Sequence, residues 1–243
     1  MIIFDSPEEL ATGFAKILSE KINSLLKEND PVNISLSGGD TPTRLFKVLA
    51  TGYRDKIKWN SINFYWVDER WVPYDSPESN YGNADKYLFS KIKINSSNIH
   101  PVKFEKSPLK EAEKYSELIL KNVRIENSLP SFDIILLGIG EDGHTASIFP
   151  DQLPLLTSDK IYDVAFQPVT SQRRVTMTGR TINNAKNIYF LVSGKSKAKI
   201  VSRILNKKTS IKNLPAAYIK PASGNEAWYL DSDAAGQLRS KKR

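Results

Sequence analysis

"FDIILLGIGEDGHTASIFP", residues 132–150, runs from an almost unbroken apolar stretch straight into a glycine-rich polar loop. Its reading decides the fold. Residues 132–139 have the length and continuity of a central parallel strand, covered on both faces. From Gly138 to Gly143 the loop then fits the spacing G-x-G-x-x-G of a dinucleotide-binding turn. In such a turn the first glycine makes the bend, the second admits the pyrophosphate, and the third lets a following helix pack closely. That helix must run for about 10 residues. Here the last glycine is followed by the polar His144 and only five residues before the helix breaker Pro150. The acidic residue some twenty positions on is Asp163, which lies inside the strand-like run "IYDVAFQ" rather than at its end. The glycines therefore point away from NAD, and His144 suggests another purpose.

The same pattern of apolar strand and helix extends in both directions. Upstream, Ser6 followed by Pro7, Glu8 and Glu9 opens a helix that should run to about Asn29, with a cap, a proline in the first turn and acids at the positive end of the dipole. "VNISLS" (32–37) reads as a buried strand, "TPTRLFKVLA" as a helix, and "INFYWVD" (62–68) as another strand before the long loop "ERWVPYDSPESNYG". Helical periodicity returns near 81–92 and 108–127. Downstream, strands are expected at 161–167, 173–178, 187–193 and 227–231, with a helix over about 195–206. This alternation predicts a single-domain α/β fold, an open, mostly parallel Rossmann-like sheet with helices on both faces. In such sheets ligands bind beyond the carboxyl ends of the strands.

Composition sets the outer limits. A chain of 243 residues can bury a substantial core as one domain, and 40% hydrophobic with 26% charged residues is ordinary for a soluble globular protein. No apolar run approaches the ~18 residues of a membrane helix, and "MIIFDSPEEL" has neither the basic region nor the apolar stretch of a secretory signal. No membrane partner and a cytoplasmic location are therefore expected. Without cysteine there is no disulfide, Fe–S cluster or thiolate zinc site. The net charge of +8 favours anionic partners. No zinc finger, RNP signature or helix-turn-helix accompanies it, so the expectation is a phosphorylated metabolite and no nucleic acid. The terminal run "RSKKR" reads as a solvated basic tail, with the flexible end beginning at about residue 236.

Three segments put small or ionisable residues directly after a strand. In "ISLSGGDTPTRLF" the turn Ser37-Gly38-Gly39 can point backbone N–H groups outward, and Asp40 or Thr41 should cap a helix with Pro42 in its first turn. Such a helix start binds phosphate readily. In "FYWVDERWVP", Asp68, Glu69 and Arg70 appear where an aromatic, buried strand ends; a surface ion pair at a loop start would account for them equally well. In the opening stretch, Glu141, Asp142 and His144 share the glycine loop. A histidine there can take a proton from water near neutral pH, with a neighbouring carboxylate fixing its tautomer. His100, in "SSNIHPV", has no such setting. Further on, "RRVTMTG" brings Arg173 and Arg174 to a strand, and "YFLVSGKSKAKIV" places Lys195 and Lys197 at a helix start, where a cation opposes the dipole unless an anion is held there. No G-x-S-x-G and no H-E-x-x-H occurs.

Taken in order, "SLSGGDTP", "VDERWVP" with "SNYG", "LGIGEDGHTASIFP", "RVTMT", "GKSKA" and "WYLD" make nearly the whole chain resemble the 6-phosphogluconolactonase family, within the wider group that includes glucosamine-6-phosphate isomerase/deaminase. The resemblance implies an isomerase/CoA-transferase-like version of the α/β fold. It also implies hydrolysis of 6-phospho-D-glucono-1,5-lactone to 6-phosphogluconate without metal or cofactor; a monomer or weak homodimer is expected. Carried over by position, His144 would be the general base that activates water and returns the proton to the ring oxygen. Asp142 would support it or order the water, and Arg70 would position substrate or offset negative charge. Ser37, Gly38, Gly39 and Thr41, with Arg174 and Lys197, would hold the phosphate, and Asp68 would contact substrate. In the isomerase/deaminase group the loop reads D-G-H-I-A-F-N-E-P, with a glutamate five residues after the histidine; that place is Phe149 here. A sugar-phosphate sensor, the remaining alternative, would need an attached DNA-binding module, for which one α/β domain leaves no room.

Overall fold

Every residue of Val32–Leu36, Ile134–Leu137 and Ile188–Val192 is buried. Successive side chains of a strand point to opposite sides, so such strands need cover on both faces of their sheet. The computed structural model describes residues 1–206 and 211–238. Its elements begin β1 (Ile2–Phe4), α1 (Pro7–Leu25), β2 (Val32–Leu36), α2 (Asp40–Gly52), β3 (Ile62–Trp66), β4 (Asp68–Arg70), α3 (Asn80–Tyr87) and α4 (Pro108–Asn122). They continue as β5 (Ile125–Glu126), β6 (Leu129–Pro130), β7 (Ile134–Leu137), β8 (Tyr162–Phe166), β9 (Arg173–Met177), α5 (Gly179–Asn183), β10 (Ile188–Val192), α6 (Ala198–Asn206), β11 (Glu226–Asp231) and α7 (Ser232–Ala235).

Six strands form the main sheet in the order β1-β11-β10-β7-β2-β3, and every neighbouring pair is parallel. The expected α/β class is therefore correct. From β2 the chain steps outward to β3, then returns to lay β7 on the other side of β2 and continues to β10 and β11. The connections thus diverge between β2 and β7, which opens a crevice beyond their carboxyl ends. Both glycine-bearing loops, after Leu36 and after Leu137, leave the sheet at this point.

Several expectations change in detail. The segments at 161–167 and 173–178 are not part of the parallel sheet: β8 and β9 form an antiparallel hairpin, and β4 adds to β9 in a separate three-stranded sheet. A connection as short as residues 167–172 cannot carry a parallel crossover. Asp68–Arg70, expected at the end of a strand and start of a loop, is itself the edge strand of this sheet. The N-terminal β1 was not anticipated. It is a three-residue edge strand with Ile2 and Ile3 exposed, too short for any periodicity to register. The first helix ends at Leu25 rather than Asn29, and the fourth at Asn122, after which β5 and β6 make a small hairpin. Leu238 packs against the core, while the "RSKKR" run (239–243) lies outside the described residues. No helix among the described residues is long and apolar enough to cross a membrane.

Candidate active site

At the carboxyl ends of β2, β7 and β10 a cleft of about 560 Å³ opens. Ser37, Gly38, Gly39, Thr41, Asp68, Arg70, His144, Arg174 and Lys197 all line it, and Asp142 stands beside His144.

The loop after β7 turns on its glycines. Gly140 donates its N–H to the His144 carbonyl at 2.9 Å, Gly143 donates back to Gly140 at 3.0 Å, and Gly143 has φ +91°, a conformation that disfavours any side chain. At Gly140 the restriction is space: a Cβ there would lie 2.1 Å from His144 Nδ1 and 2.5 Å from Asp142 Oδ1. Both hydrogen-bonding groups of His144 on this side meet one oxygen. Nδ1 lies 2.6 Å from Asp142 Oδ1 and the backbone N–H donates to the same atom at 3.0 Å. The carboxylate thereby assigns the proton to Nδ1 and leaves the Nε2 lone pair free to accept one. Burial pushes the Asp142 carboxyl up, but the hydrogen bond and charge of His144 outweigh it and hold the group below its ordinary value. Asp142, not the neighbouring Glu141, is the histidine's partner. The buried Phe149 ring packs against the imidazole at 4.7 Å between centroids.

Opposite this dyad, the loop after β2 makes an open helix start. Side chains of Ser6, Ser79 and Ser107 cap α1, α3 and α4, but α2 begins at Gly39, with no side-chain cap. Asp40 and Thr41, expected as the cap, lie inside the first turn instead. Gly39 at φ +105°, ψ −177° explains the shift, because only glycine adopts that conformation readily. The first-turn N–H groups of α2, unclaimed by any cap, are suited to an anion. Ser37 donates its hydroxyl to the Leu136 carbonyl at 2.8 Å, so that proton is committed to the sheet. Thr41 shares a 2.8 Å hydrogen bond with Ser193, tying this loop to the one after β10. There Gly194 donates its N–H to the buried Asp231 carboxylate at 2.9 Å, which fixes the turn leading to Lys197.

The third wall comes from the small antiparallel sheet, whose register sets Arg70 directly opposite Arg174 and Asp68 opposite Thr176. Like charges across a strand pair repel. Asp68 is buried and answers them only partly: its Oδ2 accepts from Ser147 Oγ at 2.6 Å and lies 3.9 Å from Arg174 Nη1. Burial lowers the Arg174 pKa, an effect that Asp68 opposes and Arg70 adds to. Among the described residues, the Nε of each arginine is buried without a hydrogen-bond partner. Two crowded guanidinium groups with spare donors favour an anion between them.

Sequence reasoning missed the supports of this wall. Glu69 is 3% exposed and accepts from the backbone N–H groups of Arg70, Asn80 and Tyr81, each at 2.8 Å, and from Ser79 Oγ at 3.2 Å. Burial pushes its pKa up to about 7 against the pull of these donors. Asn80 donates from Nδ2 to the Asp68 carbonyl at 2.7 Å. Its Oδ1 occupies the space a Cβ on Gly38 would need, only 1.7 Å away. The available signal was the Ser79 cap before a helical stretch; nothing in sequence pairs it with Glu69. Arg173 is exposed, and His100 stacks on Tyr65 at 4.7 Å with its pKa lowered by burial, away from the cleft. Among the described residues no group of three or more His, Asp or Glu is placed to hold a metal ion.

Fold and site together define a parallel-sheet α/β protein with a histidine–carboxylate pair and an open helix start facing each other across its switch-point crevice. The family model described as glucosamine-6-phosphate isomerases/6-phosphogluconolactonase matches residues 5–228, and the chain belongs to this family. The 6-phosphogluconolactonase of Haemophilus influenzae is 44% identical over 213 residues, 86% of this chain and 89% of the relative. The crystal structure of the devB protein superposes with a TM-score of 0.89 at 42% identity, covering 98% of both chains. The three-dimensional structure of 6-phosphogluconolactonase from Trypanosoma brucei gives 0.88 at 28% identity, again over 98% of each chain.

Proposed function

We propose that this chain hydrolyses 6-phospho-D-glucono-1,5-lactone to 6-phosphogluconate, the second step of the oxidative pentose phosphate pathway, with His144 as general base. The observation that carries the mechanism is the 2.6 Å contact between His144 Nδ1 and Asp142. It leaves Nε2 as acceptor in a cleft whose other walls are cationic or rich in free backbone N–H. The names of the relatives supply the substrate. In this reading the phosphate lies against the Gly38-Gly39 turn, the first turn of α2 and Lys197, with Arg174 closing from the small sheet. Ser37 contributes through its backbone, since its hydroxyl proton is already given to Leu136. Nε2 takes a proton from water as the water oxygen bonds to the lactone C1. The charge that develops on the former carbonyl oxygen is offset by Arg70, and Asp68 accepts from a sugar hydroxyl. As the C1–O5 bond breaks, His144 returns its proton to O5. The new carboxylic acid ionises, so each turnover releases one proton to solvent.

Freshly generated lactone tests this directly. Acid release well above spontaneous hydrolysis, saturable in lactone, is expected; release no faster than the uncatalysed reaction rejects the proposal.

A further inference from the structure

A second concavity of about 490 Å³ lies between α2 and α3, with Lys47, Arg54, Lys86 and Lys91 in its lining and no carboxylate. Lys47 and Lys86 place their ammonium groups over one Tyr87 ring, 4.7 and 5.1 Å from its centroid. Among the described residues, Arg54 alone of the four meets a carboxylate, that of its exposed neighbour Asp55 at 3.7 Å. Helix dipoles favour cations within the last turn of a helix. That accounts for Lys86, at the end of α3, but not for Lys47, within α2, or Lys91, beyond α3. Four cations drawn around one hollow repel each other, and an anion of matching charge relieves the repulsion.

The size and lining narrow the ligand. The volume falls in the ~300–1,000 Å³ range of small-molecule pockets. Asp55 answers Arg54, which leaves the three lysines; one phosphate, with at most about two charges, does not match them, whereas a triphosphate does. Ala50 and Tyr87 supply apolar surface, and the Thr51 and Ser90 hydroxyls, which donate to the Lys47 and Lys86 carbonyls, keep lone pairs that can accept from a sugar or base. We propose that this concavity binds a nucleoside triphosphate. It is separate from the cleft described above: the two share no lining residue, and along α2 the stretch from Asp40, at that cleft, to Lys47–Thr51, at this one, is about 10–17 Å.

Calorimetry with ATP, AMP and tripolyphosphate, at physiological salt and without divalent ions, tests the assignment. ATP is expected to bind one to one, more tightly than AMP or tripolyphosphate, and to be undisturbed by saturating 6-phosphogluconate. The double variant Lys86→Gln/Lys91→Gln should weaken it roughly tenfold for each charge removed while leaving lactone hydrolysis unchanged. Lys47→Gln/Arg54→Gln serves the same purpose if the first pair does not fold. Any of four results overturns the proposal: no saturable binding at millimolar ATP, displacement by 6-phosphogluconate, full affinity in the folded double variant, or AMP or tripolyphosphate binding as tightly as ATP.

Discussion

His144 is aimed through two contacts to a single Asp142 oxygen, and removing the imidazole separates its chemistry from its electrostatics. His144→Ala is expected to slow lactone hydrolysis by the ~10²–10⁴-fold typical of a positioned acid–base group, with phosphate-ligand binding kept; turnover near normal in the folded variant would refute the assignment. The same variant should raise the Asp142 pKa. Burial favours the neutral acid there, and the side-chain hydrogen bond and charge of His144 are the main lowering contacts, so their loss leaves burial opposed only by backbone N–H groups. The linkage has a definite sign. A depressed carboxyl pKa contributes stability that is present above the unfolded value of 3.8 and lost as pH falls through the folded one. That contribution to the stability difference between wild type and variant should be present at neutral pH and fade in acid. A carboxyl titration by NMR in both proteins checks the direction. The residues alone left Asp142 and Glu141 open and only the family resemblance chose Asp142, because adjacent carboxylates in a glycine loop differ only in where the turn at Gly143 aims them.

At the scale of elements, the alternation of strand and helix was readable because β2, β7 and β10 are continuous apolar runs, and their loops could be placed at the ligand end of the sheet. The small antiparallel sheet was not recognised, although five residues between the expected strands at 161–167 and 173–178 already excluded a crossover. Arg174 was picked out, but its pairing with Arg70 depends on a register that joins residues a hundred positions apart. These elements bring cations to the cleft from different directions, Lys197 from the turn after β10 and Arg174 from β9. Lys197→Ala and Arg174→Ala should each weaken 6-phosphogluconate much more than unphosphorylated gluconate, since a charge-assisted bond to phosphate contributes about 1.5–3 kcal/mol. Calorimetric losses equal for both ligands would rule out phosphate contact. Glu69 acts on α3 from β4, as an acceptor for its first N–H groups. Glu69→Gln replaces one accepting oxygen with NH₂ and strands a buried donor, so unfolding free energy should fall by about 1–3 kcal/mol; denaturant curves superimposable on wild type would show that the cap is dispensable.

For the molecule as a whole, the fold does not select the reaction, because one family spans lactonases and amino-sugar phosphate isomerases. In the proposed reading, an open helix start and a cationic wall would accept either sugar phosphate. The difference rests on what surrounds the histidine. Moving a proton from C2 to C1 of an amino sugar requires a base over C2 and a partner that keeps the histidine ready to open the ring. Asp68 is a carboxylate in the cleft, but it is already engaged by Ser147 and lies close to Arg174. At the second place stands Phe149, fully buried, with its ring against His144 and under the Arg174 guanidinium at 5.6 Å. A phenyl ring neither accepts nor donates that proton, and the packing on both sides leaves no room for another side chain to substitute. A lactone asks for less, since its carbonyl is already electrophilic and one base with water suffices. The protein should therefore bind glucosamine 6-phosphate without deaminating it. Ammonia and fructose 6-phosphate are measured beside lactone hydrolysis on one preparation; deamination at a rate comparable to lactone hydrolysis would mean that Phe149 does not decide between the two chemistries.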